Sequence, residues 1–235
     1  CLVEFMEDGK KMNKIKVLYE DNHIIVVEKP INMLSQSDNT KDIDLLTLVK
    51  EYIKEKYHKP GNVYVGLVHR LDRPVGGVMV FAKTSKAAKR LSEEIRTHQI
   101  KKTYLAIVEG IIKEETGTYC DKILRLENGN SVIDSHGKEA ILDYQVLKRN
   151  KEKNKTLVKV FLKTGRHHQI RVQFAYHKHP LCGDQRYGKQ DKTQIALYAY
   201  QLELIHPTTK EKLVFQKLPP KIDHWTQFTV SNNVH

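Results

Sequence analysis

The sequence predicts an α+β protein built on a largely antiparallel sheet. Short runs rich in Val, Ile and Tyr outnumber the stretches with apolar residues at helical spacing, and most neighbouring runs are joined by short polar turns. Strands joined by turns rather than by helices pair antiparallel, and the few helices then pack on the sheet.

In chain order, "KVLYEDNHIIVVEKP" reads as a hairpin turning at Asp21 and Asn22 and stopped by Pro30. "SQSDNTKDID" is a polar loop, and "LLTLVKEYIKEKYHK" follows as a helix whose stripe is Leu45, Leu48, Val49 and Ile53, ended by Pro60 and Gly61. "VYVGLVHRLD" and "GGVMVFAKT" are short enough for two strands with a connection between them. "SKAAKRLSEEIRTHQI" is a helix with Ser85 as N-cap and Ala88, Leu91 and Ile95 on its apolar face. "KKTYLAIVEG", "GTYCDKI", "EAILDYQVLKR" and "TLVKVFLKT" are strands, the last three separated by the turns "ENGN" and "NKEKNK". A helix is expected from about His168 to His177, and "IALYAYQLELIHP" with "KLVFQKLP" closes the chain as a hairpin.

The chain has 235 residues, with 40 Lys+Arg against 28 Asp+Glu for a formal charge of +12. The excess is spread along the chain, and a folded body this basic meets a polyanion, most commonly nucleic acid. The three cysteines, Cys1, Cys120 and Cys182, have no short spacing, so neither a disulfide framework nor a paired-cysteine metal site is expected. With no apolar run of membrane length and no apolar core of a signal peptide near the start, the sequence reads as cytoplasmic. Residues 1–14 read as an N-terminal extension and 15–230 as one domain.

Three stretches carry chemistry. In "HRLDRPVGG", Asp72 stands between Arg70 and Arg73. Two guanidiniums nearby would hold the carboxylate ionised, which suits a nucleophile or charge stabiliser better than an acid; the alternative is an Arg–Asp pair tying a loop together. Gly76 and Gly77 beside it permit a close backbone approach. In "GRHHQIR", Arg166 lies at the mouth of the expected helix and Arg171 nearly a turn inside, so one could reach a phosphate and the other turn inward. His167, His168, His177 and His179 fit no zinc template, and no metal is expected. Tyr104 on its strand is either core or a ring facing a groove, where it could stack on a base.

Five strings in order, "EDNHIIVVEKPINML", "VHRLDRPVGGVMVFAKT", "KTYLAIVEG", "LKTGRHHQIRVQFAYHKHPLCGDQRYG" and "LYAYQLELIHP", together resemble the RluA-like branch of the RNA pseudouridine synthases, from about residue 15 to 218. The resemblance implies a mixed, mainly antiparallel sheet with flanking helices and a central active-site cleft. It implies Asp72 as the catalytic carboxylate, Tyr104 over the target uracil and near its C5 proton, and Arg171 as the partner of Asp72, with Arg166 the weaker candidate. It makes Arg70 the residue that helps displace the base, and places Arg73, Arg166, His69 and Gln169 among the substrate contacts. The implied partner is ribosomal or transfer RNA, the implied state a monomer, and no cofactor is called for. A family S4 module finds no room before residue 15, so RNA capture is expected to fall to the domain's own basic surface.

The sequence departs from the family pattern at Val75 and Gly76, where Thr and Ser are usual, at His167 in place of Thr, and at Tyr198 in place of His. Two rivals are a non-catalytic RNA-binding or ribosome-assembly protein on the same fold, and a uridine methyltransferase. The latter needs a glycine-rich turn from strand to helix, whereas "VGGV" opens a strand.

Overall fold

The computed structural model describes residues 15–228, so the expected extension at 1–14 lies outside the described residues. The opening hairpin is β1 (Lys16–Glu20) and β2 (Ile24–Lys29), closed where Asp21 Oδ1 accepts the N–H groups of His23 and Ile24 at 2.7 and 2.8 Å. Helix α1 (Leu45–Lys56) is capped by Asp44, which accepts the Thr47 N–H at 3.0 Å, and buries the expected Leu45, Leu48, Val49 and Ile53. Then come β3 (Gly66–Leu67), β4 (Gly76–Ala82), α2 (Ser85–Arg96), β5 (Lys101–Glu109), β6 (Thr116–Arg125), β7 (Ser131–Ile133), β8 (Lys138–Asn150) and β9 (Lys155–Leu162). Helix α3 (Gln169–Tyr176), β10 (Leu197–Ile205) and β11 (Lys212–Gln216) complete the order, with a short 3₁₀ turn at Asp223–Gln227.

The strands form one sheet in the order β1-β2-β4-β10-β5-β9-β8-β6-β7, with β11 beside β10 and β3 beside β4. Every pairing is antiparallel except that of β10 with β4, where Tyr198 faces Gly76 and Ala199 faces Gly77. Gly77 has φ +130°, and a Cβ there would lie 2.3 Å from the Ala199 carbonyl oxygen, so only glycine fits this crossing. Alternation along β2 and β4 divides the core. Ile25, Val27, Met79 and Phe81 pack with α1 and α3, whereas Ile24, Val26, Val78 and Val80 pack with α2. Strands covered on both faces read as continuous apolar runs, as β2 and β4 do.

The structure corrects four local expectations. Only Gly66–Leu67 of the run through Asp72 is strand. Beyond it the chain leaves the sheet because side chains supply the missing partners: Ser35 Oγ donates to the Leu71 carbonyl at 2.8 Å and accepts its N–H at 3.1 Å, and His69 Nε2 accepts the Val80 N–H at 3.1 Å. The cap of α2 is Thr84 rather than Ser85, its hydroxyl accepting the Ala87 N–H at 3.1 Å. Ala87, Leu91 and Glu94 are the buried residues of α2, with Ala88 and Ile95 only partly covered. The three-residue β7 across the "ENGN" turn is too short for an alternation pattern to reveal. Among the described residues, no helix is long and apolar enough to cross a membrane.

Candidate active site

A cleft of about 1000 Å³ opens between the 68–72 loop, the end of α2, the start of β5 and the 162–171 segment. Arg70, Arg96, Lys102, Arg125, Lys163, Arg166 and Arg171 line it, seven cations against the carboxylates of Asp38 and Asp72. A shallower depression of about 530 Å³ across β6 and β8 has no cation in its lining, so the larger cleft is the candidate site.

Asp72 sits in the turn that leads into β4, where its carbonyl accepts the Val75 N–H at 2.9 Å. Lys29, fully buried at the end of β2, steadies this turn by donating to the Arg73 carbonyl at 3.0 Å and to the carbonyls of Pro30 and Met33. Burial pushes its ammonium down to about 7 against the opposing pull of Asp72, with Arg73 adding to the lowering.

The flanking arginines do not clamp Asp72. Arg73 turns away to pair with Asp42 at 2.8 Å, Arg70 is exposed at the mouth, and among the described residues neither makes an ion pair with Asp72. The guanidinium that reaches it comes from α3: Arg171 Nη1 lies 3.2 Å from Asp72 Oδ2, across 99 residues of chain. Arg171 is itself fixed by Asp184, fully buried, through Nε–Oδ2 at 2.8 Å and Nη2–Oδ1 at 2.7 Å. Asp184 Oδ1 also accepts the N–H groups of Arg186 and Tyr187. Burial raises the Asp184 carboxyl, but Arg171 and these two N–H groups outweigh it and hold it below the usual range.

His168, with φ 54°, opens α3 and aims Nε2 at Asp72 Oδ2 across 3.5 Å. Its Nδ1 meets the Tyr187 hydroxyl at 2.7 Å, and that oxygen accepts the Ser131 N–H at 2.9 Å. Facing a carboxylate, Nε2 carries the imidazole hydrogen, which leaves Nδ1 to accept the Tyr187 hydroxyl proton. Burial lowers His168 to about 4 despite the pull of Asp72, so the ring is neutral at pH 7. The His167 ring packs against His168, tilted by 31° with centroids 3.7 Å apart, and its Nδ1 lies 3.0 Å from Ser131 Oγ.

Tyr104 faces the cleft from β5 yet is only 8% exposed. Burial, reinforced by Asp72, pushes its hydroxyl well above the usual tyrosine range. The two readings of this residue are both met: its ring is core on one side and cleft wall on the other. Arg166 is exposed, its Nε donating to the Glu139 carbonyl at 2.7 Å. Gln169 is buried with both ends of its amide partnered, Oε1 accepting from Thr164 Oγ1 and the Arg166 N–H and Nε2 donating to the Ile141 carbonyl.

Sequence reasoning thus named Asp72, Tyr104 and Arg171, which the fold brings to one cleft, and missed Asp184, Tyr187 and the tautomer-setting role beside His168. The "GDQRY" segment stood within a recognised string, but only the tertiary pairing reveals what its acid does.

The two departures at Gly76 and Tyr198 meet across the parallel crossing. A Cβ on Gly76 would lie 3.0 Å from Tyr198 Cε2, and the Tyr198 hydroxyl donates to Glu28 Oε1 at 2.7 Å. Losing the side chain at one position makes room for the larger ring at the other.

A basic cleft with an arginine-held carboxylate beside an aromatic wall has the features that recognition of a nucleic-acid base requires. Comparison with known proteins agrees. The RNA pseudouridylate synthase family model matches residues 23–176. An RNA pseudouridine synthase of Aquifex aeolicus is 35% identical over 221 residues, covering 88% of this chain and 70% of that protein. The ribosomal large subunit pseudouridine synthase C of Buchnera aphidicola from Acyrthosiphon pisum is 31% identical, covering 88% and 68%, and the tRNA pseudouridine synthase C of Yersinia pestis is 31% identical, covering 85% and 84%. The fold is shared with human RNA pseudouridylate synthase domain containing 4, at TM-score 0.74 and 24% identity over 88% of this chain and 89% of that one. The chain belongs to the RNA pseudouridylate synthase family, in its RluA-like branch.

Proposed function

We propose that this RNA pseudouridine synthase isomerises specific uridines of ribosomal or transfer RNA, with Asp72 as the catalytic nucleophile. The observation that carries the reading is the Asp72–Arg171 pair at 3.2 Å in the same basic cleft as Tyr104. Relatives named for large-subunit ribosomal RNA and for transfer RNA support both substrate classes. The reaction breaks the N1–C1′ bond, turns the uracil and forms C5–C1′; C5 loses a proton and N1 gains one, so no redox partner is required. Asp72 attacks C1′, or assists a glycal route, while Arg171 holds its oxygen in place.

Tyr104 supplies the face on which the uracil rests. Since burial keeps its hydroxyl protonated, the C5 proton leaves through water rather than to a phenolate. Arg70, exposed at the mouth, enters the stack that the flipped uridine vacates, offsetting part of an unstacking cost of a few kcal/mol. Arg73 and Arg166 meet phosphates at the rim. Gln169 holds the loop before α3 rather than substrate, because its polar atoms are already matched inside the protein. The protein acts as a monomer in the cytoplasm in this account. Deleting the gene and mapping pseudouridines across ribosomal and transfer RNA tests it: specific sites disappear, and Asp72→Asn does not restore them. If no site disappears, or if Asp72→Asn restores every one, the reading fails.

A further inference from the structure

Side chains two apart on a strand share a face, so Lys102 lies beside Tyr104, roughly 7 Å along β5. Lys102 lines the cleft and is half-buried, and among the described residues its ammonium has neither a hydrogen-bond acceptor nor an ion-pair partner. The two carboxylates of the cleft are engaged elsewhere, Asp72 with Arg171 and Asp38 with Thr40. Next to it stands a second unmatched donor. His69 Nε2 accepts the Val80 N–H, which puts the imidazole hydrogen on Nδ1, and Nδ1 is buried without a partner. Burial, with the Lys102 charge beside it, holds His69 down to about 3, so it stays a neutral donor. The loop before α3 also passes close, since a Cβ on Gly165 would lie 3.5 Å from Lys102 Nζ.

A half-buried ammonium without a counterion is unfavourable until a ligand supplies one. We propose that Lys102 forms an anion subsite for a non-bridging phosphate oxygen of the RNA strand, adjacent to the nucleotide whose base rests on Tyr104. This rests on the pseudouridine synthase reading of the cleft. Burial lowers the Lys102 ammonium below the usual lysine range, and an anion, which restores its charge, is selected over the neutral carbonyls of uracil.

The test uses the whole protein and unmodified transcripts of large-subunit ribosomal RNA and of transfer RNA. Lys102→Met weakens binding roughly tenfold and reduces the slope of log affinity against log salt by about one, whereas Lys102→Arg keeps most of both. Phosphate-ethylation interference on the same RNA identifies one phosphate whose modification blocks the wild-type protein and not Lys102→Met. Without RNA, Lys102→Met melts at or above the wild-type temperature, since it removes an unmatched charge. An unchanged slope, an unchanged ethylation pattern or a clear fall in melting temperature each overturns the subsite. Incubating the wild type with the same RNA keeps the two readings apart. If no pseudouridine forms, the enzymatic reading fails, while the ethylation pattern still decides whether Lys102 meets phosphate.

Discussion

Asp72 takes its countercharge from a helix far along the chain, and Asp184 determines where that charge sits. Asp184→Asn leaves Arg171 buried without its bidentate anion, an error that costs about 3–5 kcal/mol. Urea unfolding is expected to register a loss of that order, and a loss under 1 kcal/mol would remove Asp184 from this role. A second consequence concerns pH. His168 and His69 have folded pKa values of about 4 and about 3, below the 6.5 of the unfolded chain. Between those values the unfolded state binds more protons, so stability is full above pH 6.5 and falls as pH drops toward 4. Carboxylates held below their usual range shift the balance mainly below about pH 5, while Glu94, which burial raises, works against the histidines. Unfolding free energy at pH 5 is expected to be about 2–4 kcal/mol lower than at pH 7; a flat profile would mean that these rings take up protons in the folded protein. Asp72 and Arg171 were legible in the sequence because their motifs are local strings. The partners of Arg73 and Arg171 were not, since Asp42 and Asp184 are placed by tertiary packing.

At the level of elements, strands and helices with clean alternation or stripes were readable, and the exceptions have one cause. Where Ser35 and His69 satisfy backbone groups across the fold, an apolar run stops being a strand, and no local pattern announces it. The parallel meeting of β4 and β10 is the same kind of fact: "VGG" signals a close approach without saying to what. There Gly76 and Tyr198 are expected to behave as one unit. Gly76→Ser alone crowds the Tyr198 ring and the Ile31 side chain at 3.0 Å, costing about 1–3 kcal/mol. Tyr198→His alone leaves Glu28 without its 2.7 Å donor. The double variant is expected to recover at least 0.5 kcal/mol relative to the sum, measured as a double-mutant cycle in urea; strict additivity would show that the two positions do not compensate.

Over the whole molecule, the topology sets β4, β10 and β5 side by side in the sheet's centre, so the turn carrying Asp72 and the strand carrying Tyr104 open on the same cleft. Composition announced the partner class, since a charge of +12 spread along the chain reappears as the cation-rich cleft. It could not announce which cations face inward. RNA affinity is expected to fall steeply and linearly on a log scale with salt, and affinity indifferent to salt would contradict capture by the basic surface. The most direct test of the central claim is pseudouridine formation by the purified protein on unmodified ribosomal and transfer RNA transcripts, with Asp72→Asn in parallel. The account predicts that the wild type converts discrete uridines and that Asp72→Asn converts none. Conversion by Asp72→Asn at a rate near that of the wild type would contradict it.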